Sequence, residues 1–376
     1  NSIKSSDGAT DLLTLSNGSL TGAIATGGRR NLIINGAMQV AQRGTSQSIA
    51  ASTALFPVDR FEVGFGSHDQ IVGTVSQSTT APSGFANSAK VDITTAETTL
   101  ESGEGITFRT KLEGQDLQQL AKGTSDAKQV TLSFWVRSSQ TGTYIAELYD
   151  EDNTRQISKA YTIDTADTWE QKVITYPADT TGTFDNDNGR SLWILWWLAA
   201  DSGFSSGTLN DDAWDTVTNA NRAVGQTTLV TSVNDWYITG VQLEVGDTAT
   251  PFEHRSYGEE LALCQRYFYM HNYSADKADG RAPVVNGANY SSTQLYGTVY
   301  FPTAMRDLPT LDQSSTGTYR LLSDGDATHT ATGFGTQRVS ENAYVLSYTT
   351  SGLTPGYAGW VESNDTNCFL AFNAEL

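Results

Sequence analysis

Between residues 129 and 137 the chain reads Gln-Val-Thr-Leu-Ser-Phe-Trp-Val-Arg, with Val130, Leu132, Phe134 and Val136 at every second position. A period of two suits a pleated strand with one buried face and cannot sit on a helix. The same grammar recurs. Tyr144 to Tyr149, Lys172 to Tyr176, Leu192 to Leu198 and Asp235 to Val245 read as further strands, separated by Gly- and Asn-rich turns. Asn31 to Gly36 reads as a short strand entering a turn. Many short strands with turn signals between them predict a sandwich or jelly roll. With 8 Trp, 16 Tyr and 14 Phe in 376 residues, core material is ample, so disorder is not expected.

Four segments follow. Residues 1–30 are polar and Gly-rich, punctuated by Leu13, Leu15, Leu20 and Ile24, with a hairpin signal at Asn17-Gly18. A lone hairpin is marginal in water, so this shaft-like segment calls for partner strands, most simply from identical chains. Residues 31–255 form the large sandwich. Residues 256–270 read as one linking helix: Ser256 and Glu259 form a capping box, and Leu261, Cys264 and Phe268 recur at helical spacing. Residues 271–376 return to β, with strands near 298–301, 344–348 and 368–372. The predicted fold class is all-β: a jelly-roll sandwich and a smaller C-terminal β domain joined by one short helix. No internal repeat supports a β-helix.

The residues from Asn31 through Gly36 to Thr45 resemble the opening of a domain found in many bacteriophage tail-fibre proteins. Its end is resembled by Thr239 to Gly246, by Ala249-Thr250-Pro251-Phe252-Glu253 and by Tyr257 to Phe268. The match spans roughly residues 31–270. The domain itself looks like the jelly-roll carbohydrate-binding modules of bacterial glycanases. The resemblance implies a virion location at the distal tail fibre, a homotrimer, and binding of a bacterial cell-surface polysaccharide or lipopolysaccharide without turnover. A fibre-borne depolymerase and a purely structural connector are the competing readings. The first residue, Asn1, is read as a cut, with more chain expected upstream.

Composition narrows the partners. A formal charge of −19 repels nucleic acid and anionic membranes, and no apolar run is long enough to span a bilayer. Two distant cysteines, Cys264 and Cys368, do not make a disulfide framework. None of the four histidines has a second ligand at zinc-finger or metalloprotease spacing, so zinc is not expected. Gly203-Phe204-Ser205-Ser206-Gly207 matches a nucleophile elbow, but no β/α alternation surrounds it, and it reads as a loop. Paired carboxylates for glycoside hydrolysis have no sequence signature here.

Candidate site residues come from aromatics and acids. Sugars lay their C–H faces on aromatic rings. Trp135 points away from Leu132, Phe134 and Val136; Trp193 and Trp197 point away from Leu192, Ile194, Trp196 and Leu198. Trp214 lies in the long polar segment 201–223, flanked by Asp211, Asp212 and Asp215, where a ring and sugar-hydroxyl acceptors could combine. It is the leading receptor contact, ahead of the Tyr-rich terminal domain (Tyr290, Tyr296, Tyr300, Tyr344, Tyr348, Tyr357 and Trp360). Asp150, Asp152, Asp185 and Asp187 are weak candidates for structural Ca2+, the one cofactor entertained. The related modules often carry an acidic calcium ligand just after the first Asn-Gly. Ala37, Met38 and Gln39 stand there, which argues against that site.

Overall fold

A computed structural model describes residues 2–4, 11–16, 19–21, 29–49, 54–66, 68, 70–275, 277–323 and 327–376, with side chains from residue 29 onward except at 327. The protein is all-β, and every strand pair in the sandwiches is antiparallel. At the N-terminus Ser2–Lys4, Asp11–Ser16 and Ser19–Thr21 form a three-stranded sheet, with Ser16 opposite Ser19. The Asn17-Gly18 turn and the side chains of Leu13, Leu15, Leu20 and Ile24 lie outside the described residues.

Two sheets then enclose the main core. The back sheet runs, in spatial order, Glu170–Tyr176, Val130–Ser138, Asp235–Val245, Ser88–Thr95, Val72–Ser78 and Ser46–Ser48. The front sheet runs Asp215–Thr216, Arg155–Ile163, Gly142–Asp150, Arg190–Ala200, Gly105–Glu113, Phe61–Gly66 and Leu55–Val58. The chain crosses repeatedly between sheets, as in a jelly roll. Alternation sets what is buried. Leu132, Phe134 and Val136 face Ile194, Trp196 and Leu198 across the core, and Trp196 meets Phe108 and Phe134 edge-on. A fully buried Trp contributes roughly 3 kcal/mol or more by its burial.

The opening motif is not a strand. Asn31 uses its side chain where a ladder would use backbone: Oδ1 accepts from the Ile33 and Leu243 N–H groups, and Nδ2 donates to the Val241 carbonyl. Asn35 adopts a left-handed backbone (φ 60°), and its amide bridges the carbonyls of Val40 and Asp59. Gly36 is required by proximity, because a Cβ there would lie 2.1 Å from the Val241 carbonyl oxygen. Glu253 accepts from the backbone of Arg30 and Asn31, and Gln242 accepts from Glu253 N–H. The first and last motifs of the sandwich therefore latch onto one another.

The helix is shorter than the spacing predicts. It spans Tyr257–Gln265, with the Ser256 hydroxyl accepting from Glu259 N–H at 3.3 Å. The reciprocal arm of the box is absent, since the Glu259 carboxylate pairs with Arg29 instead. Cys264 is buried as expected and Leu261 is half-buried, but Phe268 belongs to a strand, Phe268–Tyr273, paired with Phe369–Asn373. Strand pairing overrides the i+4 register here. Both cysteines are buried thiols.

In the C-terminal part, Phe268–Tyr273, Phe369–Asn373 and Thr310–Gln313 form a three-stranded sheet. It packs on a seven-stranded one through Tyr319, Leu346, Tyr348, Leu370 and Phe372. The last residues turn back into the first sandwich. Glu375 pairs with Arg60 and with Arg43, and the Leu376 carbonyl accepts from Lys111 at 2.7 Å. Arg266 and the Tyr267 hydroxyl both reach Glu113. Burial alone would raise the Glu375 pKa, but the charges of Arg60 and Arg43 hold it below the usual glutamate range.

Candidate functional site

Register places a defined set of side chains on the outward face of the front sheet. Tyr149 pairs with Trp193, Glu147 with Leu195 and Ile145 with Trp197. Trp193 in turn pairs with Lys111, Leu195 with Arg109 and Trp197 with Thr107. On the next strand Glu62 pairs with Arg109, Gly64 with Thr107 and Gly66 with Gly105. Rings thus rise on one side of the face while glycines keep the other side low. At Gly64 a Cβ would collide with the Arg109 guanidinium, which lies flat across the strand there.

The long segment 201–223 folds over the edge of this sheet and becomes a wall. Ser158 N–H donates to the Asn210 carbonyl, and Asn210 Nδ2 donates to Gln156. Phe204 packs on Trp197, with ring centroids 5.1 Å apart, and Ala223, Ile145 and Leu209 complete a small apolar cluster. Between wall and floor lies an open cleft of about 310 Å³, lined by Trp193, Tyr149, Trp197, Phe204, Arg109 and Arg222 among others.

Ion pairs fix the rings. Trp193 Nε1 donates to Glu151 at 2.7 Å, and Trp197 Nε1 donates to Glu147 at 2.7 Å. Arg222 donates to the other Glu147 oxygen, and Arg190 pairs with Glu151. Glu62 holds both Arg109 and Lys111 (2.9 Å to Lys111). Four cations against three carboxylates leave this face free of the acidic excess of the whole chain. Burial pushes the Glu62 carboxyl up, but Arg109 and Lys111 overcome it and hold the pKa below the usual range. At Glu147 burial wins over Arg222 and raises the pKa. Glu147 is fully buried, with both oxygens engaged, so it orients Trp197 and Arg222 rather than facing the cleft.

The sequence candidates separate. Trp193 and Trp197 come together in the cleft, although Trp197 is 3% exposed and offers only an edge. Trp214 does not join them. Its ring packs on the main core beneath Lys122, its N–H donates to the Pro177 carbonyl at 2.9 Å, and it plugs the sandwich edge. Asp211, Asp212 and Asp215 are exposed around it, and Asp215 accepts from Thr216 N–H. Trp135 lies on the other sheet, half-buried across Gly240 beside Phe85.

The aspartate set does not form a calcium cage. Asp150 is fully buried and paired with Lys122 at 2.5 Å; Asp152 and Asp187 cap the backbone N–H groups of Asp185 and Gly189. Ser205, in the elbow-like motif, donates to the Asp201 carbonyl from a four-residue helix. The candidates that the sequence pattern offers do not include Arg109, Tyr149, Glu147 and Arg222, although Glu147 and Tyr149 alternate with the buried Ala146 and Leu148.

No family model matches the sequence, and neither does any curated protein. Among solved structures, the chain is similar to the enzymatically active domain of bacteriophage CBA120 tailspike protein 4, at 11% identity and a TM-score of 0.27. That likeness covers 57% of this chain and spans about a fifth (21%) of that one. It is also similar to a family 11 carbohydrate-binding module from Clostridium thermocellum in complex with a β-1,3-1,4-mixed-linked tetrasaccharide (10% identity, 55% of this chain, 99% of that chain, TM-score 0.27). A third likeness is to the N-terminal CBM22 tandem domain from Paenibacillus barcinonensis (11% identity, 93% of this chain, 98% of that chain, TM-score 0.26).

Proposed function

We propose that this protein binds a glycan in the front-sheet cleft without turning it over, as the receptor-binding part of a homotrimeric phage tail fibre at the distal end of the virion. The observation that carries the reading is the pairing of Trp193 and Tyr149 on the cleft floor, with rings 5.9 Å apart and nearly perpendicular. Two half-buried rings at right angles offer one stacking face and one wall to a pyranose. Arg109 and Arg222 supply planar donor forks for sugar hydroxyls or carboxylates.

The near-balanced charge of the cleft admits uncharged and acidic glycans alike, which suits a bacterial surface polysaccharide or lipopolysaccharide. The carboxylates support binding over hydrolysis. Glu62, Glu147 and Glu151 are each held by Arg, Lys or Trp donors, whereas a glycosidase needs two carboxyls free to face one bond. The tail-fibre setting rests on the Asn31–Thr45 and Thr239–Phe268 motifs.

Affinity electrophoresis against extracted cell-surface polysaccharides, with reducing-end release and sedimentation run alongside, tests the reading. Retardation should be lost in Trp193→Ala, no sugar should be released, and the mass should be that of a trimer. Undiminished retardation in Trp193→Ala defeats the cleft assignment, released oligosaccharide defeats the non-catalytic reading, and a stable monomer at micromolar concentration defeats the fibre assembly.

A further inference from the structure

Two connections cross between the sheets at the end of the cleft. One joins Phe61–Gly66 to Val72–Ser78, the other joins Ser88–Thr95 to Gly105–Glu113. Register brings them side by side: Gly66 pairs with Gly105 on the front sheet, and Val72 with Thr95 on the back. His68 sits on the first connection, Glu97 and Glu104 on the second. All three are buried, at 3%, 0% and 2% exposure. A donor atom from each lies within 4.8 Å of the others, and His68 Nδ1 is 2.5 Å from Glu97 Oε2.

The cluster is incompletely satisfied. His68 Nε2 and Glu97 Oε1 are buried and have no hydrogen-bond partner among the described residues. Among those residues no Lys or Arg pairs with Glu97 or Glu104, although most other buried carboxylates in this chain have one. Two carboxylates and one imidazole are thus shut away from water, with no cationic side chain paired to either carboxylate among the described residues.

We propose that His68, Glu97 and Glu104 form a divalent transition-metal site of the zinc class, which ties the two sheet-crossing connections together at the cleft end. A divalent cation offsets the two carboxylates and takes an imidazole nitrogen as its third donor. An imidazole nitrogen with two carboxylate oxygens is a donor set for zinc-like ions, with a fourth position left for water. Calcium and magnesium select oxygen donors and larger shells, which this site lacks. The site does not depend on the glycan reading, because none of its three side chains lines the cleft.

The test uses the full chain, free of any histidine tag and stripped with chelator. Titration with Co2+ should produce the visible d–d band of a low-coordinate site, saturating at one ion per chain and abolished by Zn2+ but not by excess Ca2+. His68→Ala and Glu97→Gln should each weaken Co2+ binding by at least about tenfold. No band and no bound metal in the wild-type chain overturns the proposal, without reliance on any variant folding. An unchanged band in a folded His68→Ala chain, or displacement by Ca2+ as readily as by Zn2+, overturns it too.

Discussion

Glu375 is the residue whose removal most directly tests how the C-terminal tail is anchored. Its carboxylate is 9% exposed and faces Arg60 at 3% and Arg43 at 11%, so solvent screens little of the interaction. Glu375→Ala strands the Arg60 guanidinium in a buried place, which costs about 3–5 kcal/mol when one partner of a buried pair is lost, whereas Arg43 keeps Asp59 at 3.8 Å. Some attraction survives. Arg60 lies 3.4 Å over the Tyr267 ring and donates to the Lys111 carbonyl; Arg43 lies 3.6 Å over Phe268. Cation–π contacts of this kind retain about 1 kcal/mol. The expected loss is therefore roughly 3 kcal/mol, or about a hundredfold in an opening equilibrium. Hydrogen exchange of the Phe369–Asn373 amides reads that equilibrium locally. Exchange should accelerate by about that factor in Glu375→Ala. The double change Glu375→Leu with Arg60→Met should recover most of the protection, because an apolar pair of similar volume carries no stranded charge. Acceleration below about fivefold in Glu375→Ala would show that the tail does not depend on this ion pair.

Other consequences follow from the same contacts. Gly36→Ala places a Cβ against the Val241 carbonyl and should lower stability by about 2 kcal/mol in denaturant unfolding; an unchanged midpoint would show that the latch can yield. The Glu375 pKa is depressed in the fold, so the unfolded chain binds more protons in acid. Its contribution is full above the unfolded glutamate pKa of about 4.3 and is lost as pH falls through the lower folded value. The stability gap between wild type and Glu375→Gln should accordingly be flat at neutral pH and close below pH of about 4, and a gap that widens in acid would contradict the sign.

The strands read from sequence are those whose two faces differ plainly. Val130–Ser138 places an apolar residue at every second position, and Arg190–Ala200 holds an apolar run too short for a buried helix, in which Trp193 falls on the face opposite Leu192 and Ile194. Phe61–Gly66 alternates equally well through Phe61, Val63 and Phe65, yet Gly64 and Gly66 weaken the strand signal. Those glycines are there because the cleft floor must lie low, so the local rule fails where the candidate site is built. Trp214 lies apart from the cleft, which its local sequence does not show. A ring in a polar loop looks available, and only the folded chain shows Lys122 and Pro177 closing over it. The His68, Glu97 and Glu104 cluster could not be found by ligand spacing, since two separate sheet crossings bring its members together.

A crystal structure of the chain soaked with an oligosaccharide from a surface polysaccharide it retains shows whether glycan lies on the front-sheet cleft. A sugar ring should stack on Trp193 or Tyr149, with hydroxyls or a carboxylate within hydrogen-bond reach of Arg109 or Arg222. A sugar bound instead at Trp214, or among the exposed Tyr290, Tyr300 and Trp360 of the C-terminal part, with the cleft unchanged, would contradict that placement.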